Sequence, residues 1–388
     1  MPSETQTFIP LSIPHITGNE WIYVKDCLDT GWVSSVGSYV NKFEEMFAPQ
    51  VGCQRAIACA NGTTALQISL QCCGVKPGDQ VLVSDLTFIA SANSISHAGA
   101  IPIFIDAEPN FWQMDPLAVE QYLHEECVLQ GDQTIHQTSG QRVAAIMPVH
   151  ILGNPVNLDP ILALAKEFHL KVIEDATESL GASYKNQPVG SLGDMAAFSF
   201  NGNKLITTGG GGMITTNNPA LADRAKHLTT TAKIDPVEFI HDEIGYNYRL
   251  VNLLAAMGVA QLEQINEFLA KKREIAAWYQ DLLGDHPSIK LMPQPDYAQS
   301  ALWLYTVRFP GRSWRPIFEH LDANQIQTRP IWQCLHQSPA YQHLPQRSCP
   351  TAEVLQSECL SLPCSISLTK SDAERVATHI RQALDQVE

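Results

Sequence analysis

Each thing this 388-residue chain lacks removes a class of function. No apolar stretch reaches the ~18 residues of a membrane-spanning helix, so a soluble protein with no membrane partner is expected. The first residues, MPSETQTFIPLSIPHITG, show no basic segment followed by an apolar one, which argues against export. Positive charge is scarce: 25 Lys and Arg face 40 Asp and Glu. The resulting net charge of -15 disfavours nucleic acid or an anionic membrane as the main partner. It leaves room for one anionic small ligand, which needs only a local pocket of donors. Ten cysteines occur without a C-x-x-C pair, and Cys349, Cys359 and Cys364 have no histidine at a zinc-finger spacing. Free thiols in a reducing cytoplasm are expected, with no metal and no catalytic cysteine. No G-x-G-x-x-G follows a strand pattern, which sets aside a nicotinamide-dependent oxidoreductase.

What is present is an ordinary globular composition, 45% hydrophobic and 17% charged, at a length suited to two domains. Helical patterns at Gly18 to Leu28 and around Phe43 and Phe47 give way to a regular alternation. Strands are predicted at Ala56 to Ala60, Gln80 to Ser84, Pro102 to Ile105, Ala144 to Val149 and Lys171 to Glu174. Helices are predicted at Thr63 to Cys72, Phe88 to His97 and Asp159 to Phe168. The alternation implies βαβ units, hence an α/β fold with a mainly parallel sheet covered on both faces. Residues 124–142 are polar and aperiodic, and a surface excursion is expected there. Pro219 to Leu228 reads as a helix. The helical run Leu250 to Leu283, with one break, is expected to lead from a large domain (1–250) into a smaller C-terminal α+β domain (251–388). A strand at Leu302 to Arg308 and a helix at Trp314 to Leu321 belong to the latter.

The stretch around which the chain is organised is DMAAFSFNGNKLITTGGGGMI, Asp194 to Ile214. A buried-strand pattern from Met195 to Phe200 breaks at Asn201-Gly202-Asn203, presents Lys204, and re-enters an apolar run through four glycines, Gly209 to Gly212. A lysine between buried segments either snorkels to solvent or is used as an amine. Desolvation would depress its pKa and make it a nucleophile able to form a Schiff base. Asn61-Gly62-Thr63-Thr64 lies where a strand ends and a helix begins, an anion site by its free N–H groups, although the motif alone favours a plain N-cap. Asp175 ends a predicted buried strand, where α/β sheets bind ligands, and its carboxylate suits a cationic ring nitrogen; a capping role is the alternative. Glu178 follows one helical turn on. Phe88, after Asp85-Leu86-Thr87, can lie over a planar ligand or belong to the core. Ser199 can donate to a phosphate or satisfy backbone. Arg249, in Gly245-Tyr246-Asn247-Tyr248-Arg249, is an anion-binding candidate or a surface arginine. The Trp332 to Tyr341 loop either closes over a substrate or is anchored by its own aromatics. In combination, a phosphate cup, an aromatic, a strand-end aspartate and a lysine 29 residues after it (204 minus 175) form a consistent pyridoxal phosphate site.

The chain also resembles the DegT/DnrJ/StrS sugar aminotransferases, of fold type I among pyridoxal phosphate enzymes. The likeness runs from about Ile9 onward, on GTTAL at Gly62, DLTF at Asp85, EDATESLGA at Glu174, FSFNGNKLITTGGGGM at Phe198, GYNYRL at Gly245 and LHQSPAY at Leu335. The resemblance implies an aspartate-aminotransferase-like fold with Lys204 as the Schiff-base lysine and Asp175 as partner of the pyridine nitrogen. It further implies Glu178 near the cofactor hydroxyl, Phe88 stacked on the ring, and Gly62, Thr63 and Ser199 on the phosphate. Asn247 would join them from the second subunit of a homodimer with shared active sites. Asn201, Arg249, His336 and Tyr341 would face substrate. Two departures from the family pattern, Asn201-Gly202-Asn203 before the lysine and Gly210 in the glycine run, look most like the bacillosamine and legionaminic acid branch. That branch aminates C4 of a UDP-linked 4-keto-6-deoxy-N-acetylglucosamine with L-glutamate as donor. GDP-perosamine synthases carry a GNK as well, so a GDP- or dTDP-linked keto sugar, amination at C3, and a non-catalytic regulator that senses the cofactor stay open.

Overall fold

The computed structural model describes residues 7–345 and 347–387. Helices α1 (Glu20–Thr30) and α2 (Ser38–Gln50) precede β1 (Arg55–Cys59), α3 (Gly62–Cys72), β2 (Gln80–Ser84), α4 (Ala90–His97) and β3 (Ile101–Ile105). Then follow α5 (Pro116–Glu126), β4 (Cys127–Gln130), β5 (Gln133–His136), β6 (Arg142–Met147), α6 (Leu158–Glu167), β7 (Lys171–Asp175), β8 (Met195–Ser199) and β9 (Gly212–Thr216). These nine strands form one sheet, whose main path runs β1-β9-β8-β7-β6-β2-β3. From β8 to β3 every neighbouring pair is parallel, while β9 is antiparallel to both β1 and β8. Strands such as QVLVS, all five residues buried, carry an unbroken apolar centre, Val81 to Val83, because helices cover both faces. The α/β fold with a mainly parallel sheet is thus as expected.

Two stretches differ from expectation. The surface excursion expected at residues 124–142 is an ordered one: they finish α5 and make the largely exposed β4–β5 hairpin, which adds antiparallel to β6 through Thr134 opposite Val143. The hairpin's aperiodic sequence follows from its edge position, where β4 leaves Val128 and Leu129 exposed and backbone pairing alone sets the register. Helix α5, not among the expected elements, has its own sequence signals. Asp115 caps it by accepting from Leu117 N (2.9 Å), Pro116 starts it, and Val119, Tyr122 and Leu123 form its buried face.

After α7 (Pro219–Thr229) the helical run breaks at Gln264 into α8 (Asn252–Glu263) and α9 (Ile265–Leu283). Ala255, Val259 and Leu262 of α8, with Ile265, Phe268 and Leu269 of α9, pack in the core of the large sheet. From Ile275 onward, α9 packs instead in a second core with β10 (Tyr305–Arg308), α10 (Arg315–Ala323), α11 (Pro350–Glu358), β12 (Cys359–Leu362) and α12 (Lys370–Val387), and β11 (Arg329–Pro330) pairs with β12 at its edge. The change of core therefore falls within α9, later than residue 250. The N-terminal segment also crosses over, since Ile9 and Leu11 pack in the second core.

Candidate active site

The carboxyl ends of β7 and β8, paired in parallel with Ala197 opposite Asp175, meet the start of α3 around a cavity of about 270 Å³. Helix α3 begins in a capping box: Asn61 Oδ1 accepts from Thr64 N (2.9 Å) and Thr64 Oγ1 accepts from Asn61 N (3.3 Å). The N–H groups of Gly62 and Thr63 stand in the first turn, where no helical carbonyl can reach them. Gly62 is required by close approach: a Cβ there would lie 2.9 Å from Ser199 Cβ and 3.0 Å from Thr177 Cγ2. Gly212 is likewise fixed by packing, since its Cβ would meet the Asn61 carbonyl carbon at 2.5 Å. Both an N-cap and an exposed donor cup are thus built from the same four residues.

Asp175 is buried at the end of β7; Oδ2 accepts from Ser91 Oγ (2.7 Å) and Oδ1 from Thr177 N (3.1 Å). Glu178, also buried, accepts from Leu152 N at Oε2 (2.7 Å) and faces Lys204 Nζ with Oε1 (3.6 Å). Burial pushes the Glu178 carboxyl up to about 7, against the opposing pull of the lysine's charge and of the Leu152 N–H. Lys204 follows a tight turn in which its own N–H donates to Asn201 O (2.9 Å). Its Nζ sits 3.7 Å from the centre of the Trp303 ring. Burial lowers its pKa, while the charges of Glu178 and Asp175 oppose that shift. The lysine is therefore a desolvated amine and not a snorkelling surface residue.

The cavity gathers Gly62, Thr63, Phe88, Glu178, Ser199, Asn201 and Lys204, with Asp175 against its wall through the Thr177 amide. Arg249, His336 and Tyr341 lie outside it, and so does Asn247, which the resemblance assigns to the site of a second subunit. Arg249 is taken up by Glu44 Oε1 (2.6 Å) and the Ala58 carbonyl (3.0 Å), a tie between β1 and the approach to α8. His336 is clamped between Asp85 Oδ2 (2.7 Å at Nδ1) and Glu353 Oε1 (3.0 Å at Nε2), joining the large sheet to α11. Tyr341 donates to Asn93 Oδ1 (2.6 Å) and sits edge-on to Phe104. Asn247 is exposed and pairs by backbone with Thr230. The small domain also supplies Trp332, from the loop expected either to close over a substrate or to be anchored by its aromatics, together with Trp303 and Arg329, which carry no signal in the sequence. Trp303 reaches the site because Leu302 takes a left-handed φ of 53°, a turn that delays the predicted strand to Tyr305. The Trp303 Nε1–H then donates to Asn203 O (2.7 Å), and its ring stacks on Trp332 at 6.1 Å and 13°.

The chain matches the DegT/DnrJ/EryC1/StrS aminotransferase family over residues 14–381. It belongs to this family. A GDP-perosamine synthase from Caulobacter vibrioides is 40% identical over 383 residues, covering 98% of each chain. A GDP-perosamine synthase from Escherichia coli O157:H7 is 38% identical, covering 97% of this chain and 98% of its own. Among solved structures, a DegT DnrJ EryC1 StrS aminotransferase from Brucella abortus superposes with a TM-score of 0.86 at 28% identity, over 94% of this chain and 95% of that one. The aminotransferase TlmJ from Streptoalloteichus hindustanus gives 0.89 at 27% identity, over 98% and 100%. The protein is a pyridoxal-phosphate-dependent sugar aminotransferase of fold type I.

The residues present suit that cofactor. An anion cup at α3, a buried carboxylate at a strand end, an exposed aromatic (Phe88) and a desolvated amine surround a single cavity. Among the described residues no helix is long and apolar enough to cross a membrane.

Proposed function

We propose that the protein transfers an amino group from L-glutamate to C4 of a GDP-linked 4-keto-6-deoxy sugar. The observation that carries this reading is that relatives 40% and 38% identical over nearly the whole chain are GDP-perosamine synthases. The Asn201-Gly202-Asn203 and Gly210 features favour a second reading, a UDP-linked 4-keto-6-deoxy-N-acetylglucosamine.

Gly62, Thr63 and Ser199 would hold the cofactor phosphate, Asp175 its ring nitrogen, Phe88 its ring face and Lys204 its aldehyde carbon. When bound, pyridoxal phosphate supplies an electron sink that makes a C–H beside the transferred nitrogen acidic. The chain supplies the rest. Lys204 Nζ, whose pKa burial lowers, takes a proton from the α-carbon of the donor. In the second half-reaction it returns a proton to the sugar carbon that receives nitrogen. Glu178 Oε1, 3.6 Å away, stabilises the protonated state of that amine without removing it. Phe88, Trp303 and Trp332 narrow the cavity and limit water around the exchanging groups.

A homodimer is part of this proposal. Trp21, Leu28, Trp32 and Val36, on and just after α1, are exposed apolar side chains of the kind that mark a protein interface. Exposed Asn247 is then available to the neighbouring subunit's site.

The test is absorbance of the purified holoenzyme under L-glutamate, followed by a panel of GDP-, UDP- and dTDP-linked 4-keto-6-deoxy sugars. Glutamate should bleach the yellow form and the GDP sugar should restore it. Faster restoration by the UDP sugar would transfer the assignment to the second reading.

A further inference from the structure

We propose that Arg329 is the anion-binding residue on the substrate side of the cavity, holding a carboxylate or phosphate oxyanion of the molecule that exchanges nitrogen. The inference rests on the donor and acceptor proposed above. Three independent features place it.

The backbone at this position is fixed. Arg329 pairs with Ser361 in β12, and Pro330, paired with Leu360, follows it with its restricted φ. The side chain therefore leaves a rigid strand and lines the same cavity as Lys204.

The guanidinium is unsatisfied among the described residues. Acidic residues outnumber basic ones by 40 to 25, and Arg142, Arg249 and Arg308 each hold a carboxylate. Among the described residues, no ion pair or side-chain hydrogen bond engages Arg329. Glu178, which lines the same cavity, is turned instead to the Leu152 amide and Lys204. A planar five-donor cation left open beside a reaction cavity suits an oxyanion in two-point contact.

The surroundings fit a bound organic anion. Trp332, three residues on, lines the cavity and stacks on Trp303, presenting an apolar wall beside the charge. The Arg329 charge also reaches Lys204, where it works with burial to lower the amine's pKa. An oxyanion docked on Arg329 would offset that effect. Both proposed substrates carry the needed group, glutamate as carboxylates and the nucleotide sugar as a diphosphate. They occupy the site in turn, so one arginine can serve either or both.

The experiment measures each half-reaction separately by cofactor absorbance in wild type, Arg329→Gln and Arg329→Lys holoenzymes. Calorimetric binding of glutarate and of GDP provides readouts that do not depend on turnover. Loss of a charged contact should raise half-saturation about 10- to 100-fold, more than it lowers the limiting rate, with partial recovery in the lysine variant. A shift confined to glutamate and glutarate identifies a carboxylate as the ligand. A shift confined to the sugar nucleotide and GDP identifies the diphosphate, and a shift in both shows that it serves each in turn. Unchanged half-saturation and binding in every arm would overturn the proposal. Should wild type react with neither glutamate nor the GDP sugar, the substrate assignment fails, while glutarate and GDP binding still decide the role of Arg329.

Discussion

Lys204 Nζ and Glu178 Oε1 lie 3.6 Å apart at the end of the cavity, and burial acts on them in opposite directions. It lowers the amine's pKa and raises the carboxyl's to about 7, which brings the proton affinities of the two groups closer together. A catalytic amine that must be nucleophile, base and acid in succession benefits from such a neighbour.

The pair makes stability depend on pH. The Glu178 carboxyl titrates near 4.5 in the unfolded chain and near 7 when folded. A raised carboxyl pKa contributes stability that is complete below the unfolded value and lost as pH rises through the folded one, here roughly 3 kcal/mol in all. Glu178→Gln keeps an acceptor for the Leu152 amide but cannot ionise. In urea unfolding of the cofactor-free protein, the variant should gain on wild type progressively between about pH 5 and pH 8. A constant difference across that window would mean that the carboxyl is not shifted.

Lys204→Ala should reduce transamination at least ~10³-fold, since it removes the amine and the proton shuttle together. It also removes the cation that opposes the rise in the Glu178 pKa, so that carboxyl should titrate still higher. Single-turnover absorbance with glutamate tests the first consequence, and pH titration of the carboxyl's infrared band tests the second. Full turnover by the variant would end the proposed mechanism.

Much of this site is legible in the sequence because its parts sit on elements with strong local signals. Gly62 and Thr63 mark a helix start, Asp175 a strand end, and Lys204 a break between two buried strands, and all three recur in the structure. The small-domain wall is not legible. Trp303 enters the cavity only because Leu302 turns left-handed, and Arg329 only because a two-residue strand pairs with β12. Neither leaves a periodic trace. The candidates that lie outside the cavity share one feature: Arg249, His336 and Tyr341 are polar residues in polar-aromatic motifs, and each is engaged by a distant partner (Glu44, Asp85 and Asn93) that spacing cannot reveal.

Gly62→Ala tests the phosphate cup. The new methyl would meet Ser199 Cβ at 2.9 Å and Thr177 Cγ2 at 3.0 Å, neither at the end of a flexible chain. The gain in helix propensity, about 1 kcal/mol at most, is smaller than the ~1–3 kcal/mol typical of such overpacking. A net loss of stability is expected, with a larger loss of cofactor affinity because Ser199 and the first turn of α3 are both displaced. Fluorescence titration of the apoprotein with pyridoxal phosphate gives the affinity; wild-type affinity would show that the helix start is not the cup.

Lys272 tests how the tryptophan wall is held. Its buried ammonium donates to the carbonyls of Trp303 (2.8 Å) and Cys364 (2.7 Å), and no carboxylate pairs with it among the described residues. It thereby pins the residue whose indole N–H holds Asn203 O beside Lys204. Lys272→Met keeps most of the aliphatic stem but leaves two buried carbonyls unpaired, each worth about 1–3 kcal/mol. Relief from burying a charge offsets part of that, so a net destabilisation of roughly 1–3 kcal/mol is expected. If the role is positioning, Lys272→Met should also raise half-saturation for glutamate and alter Trp303 fluorescence, and Lys272→Arg should restore both. A variant that loses stability while its fluorescence and half-saturation stay at wild-type values would reduce Lys272 to a structural tie.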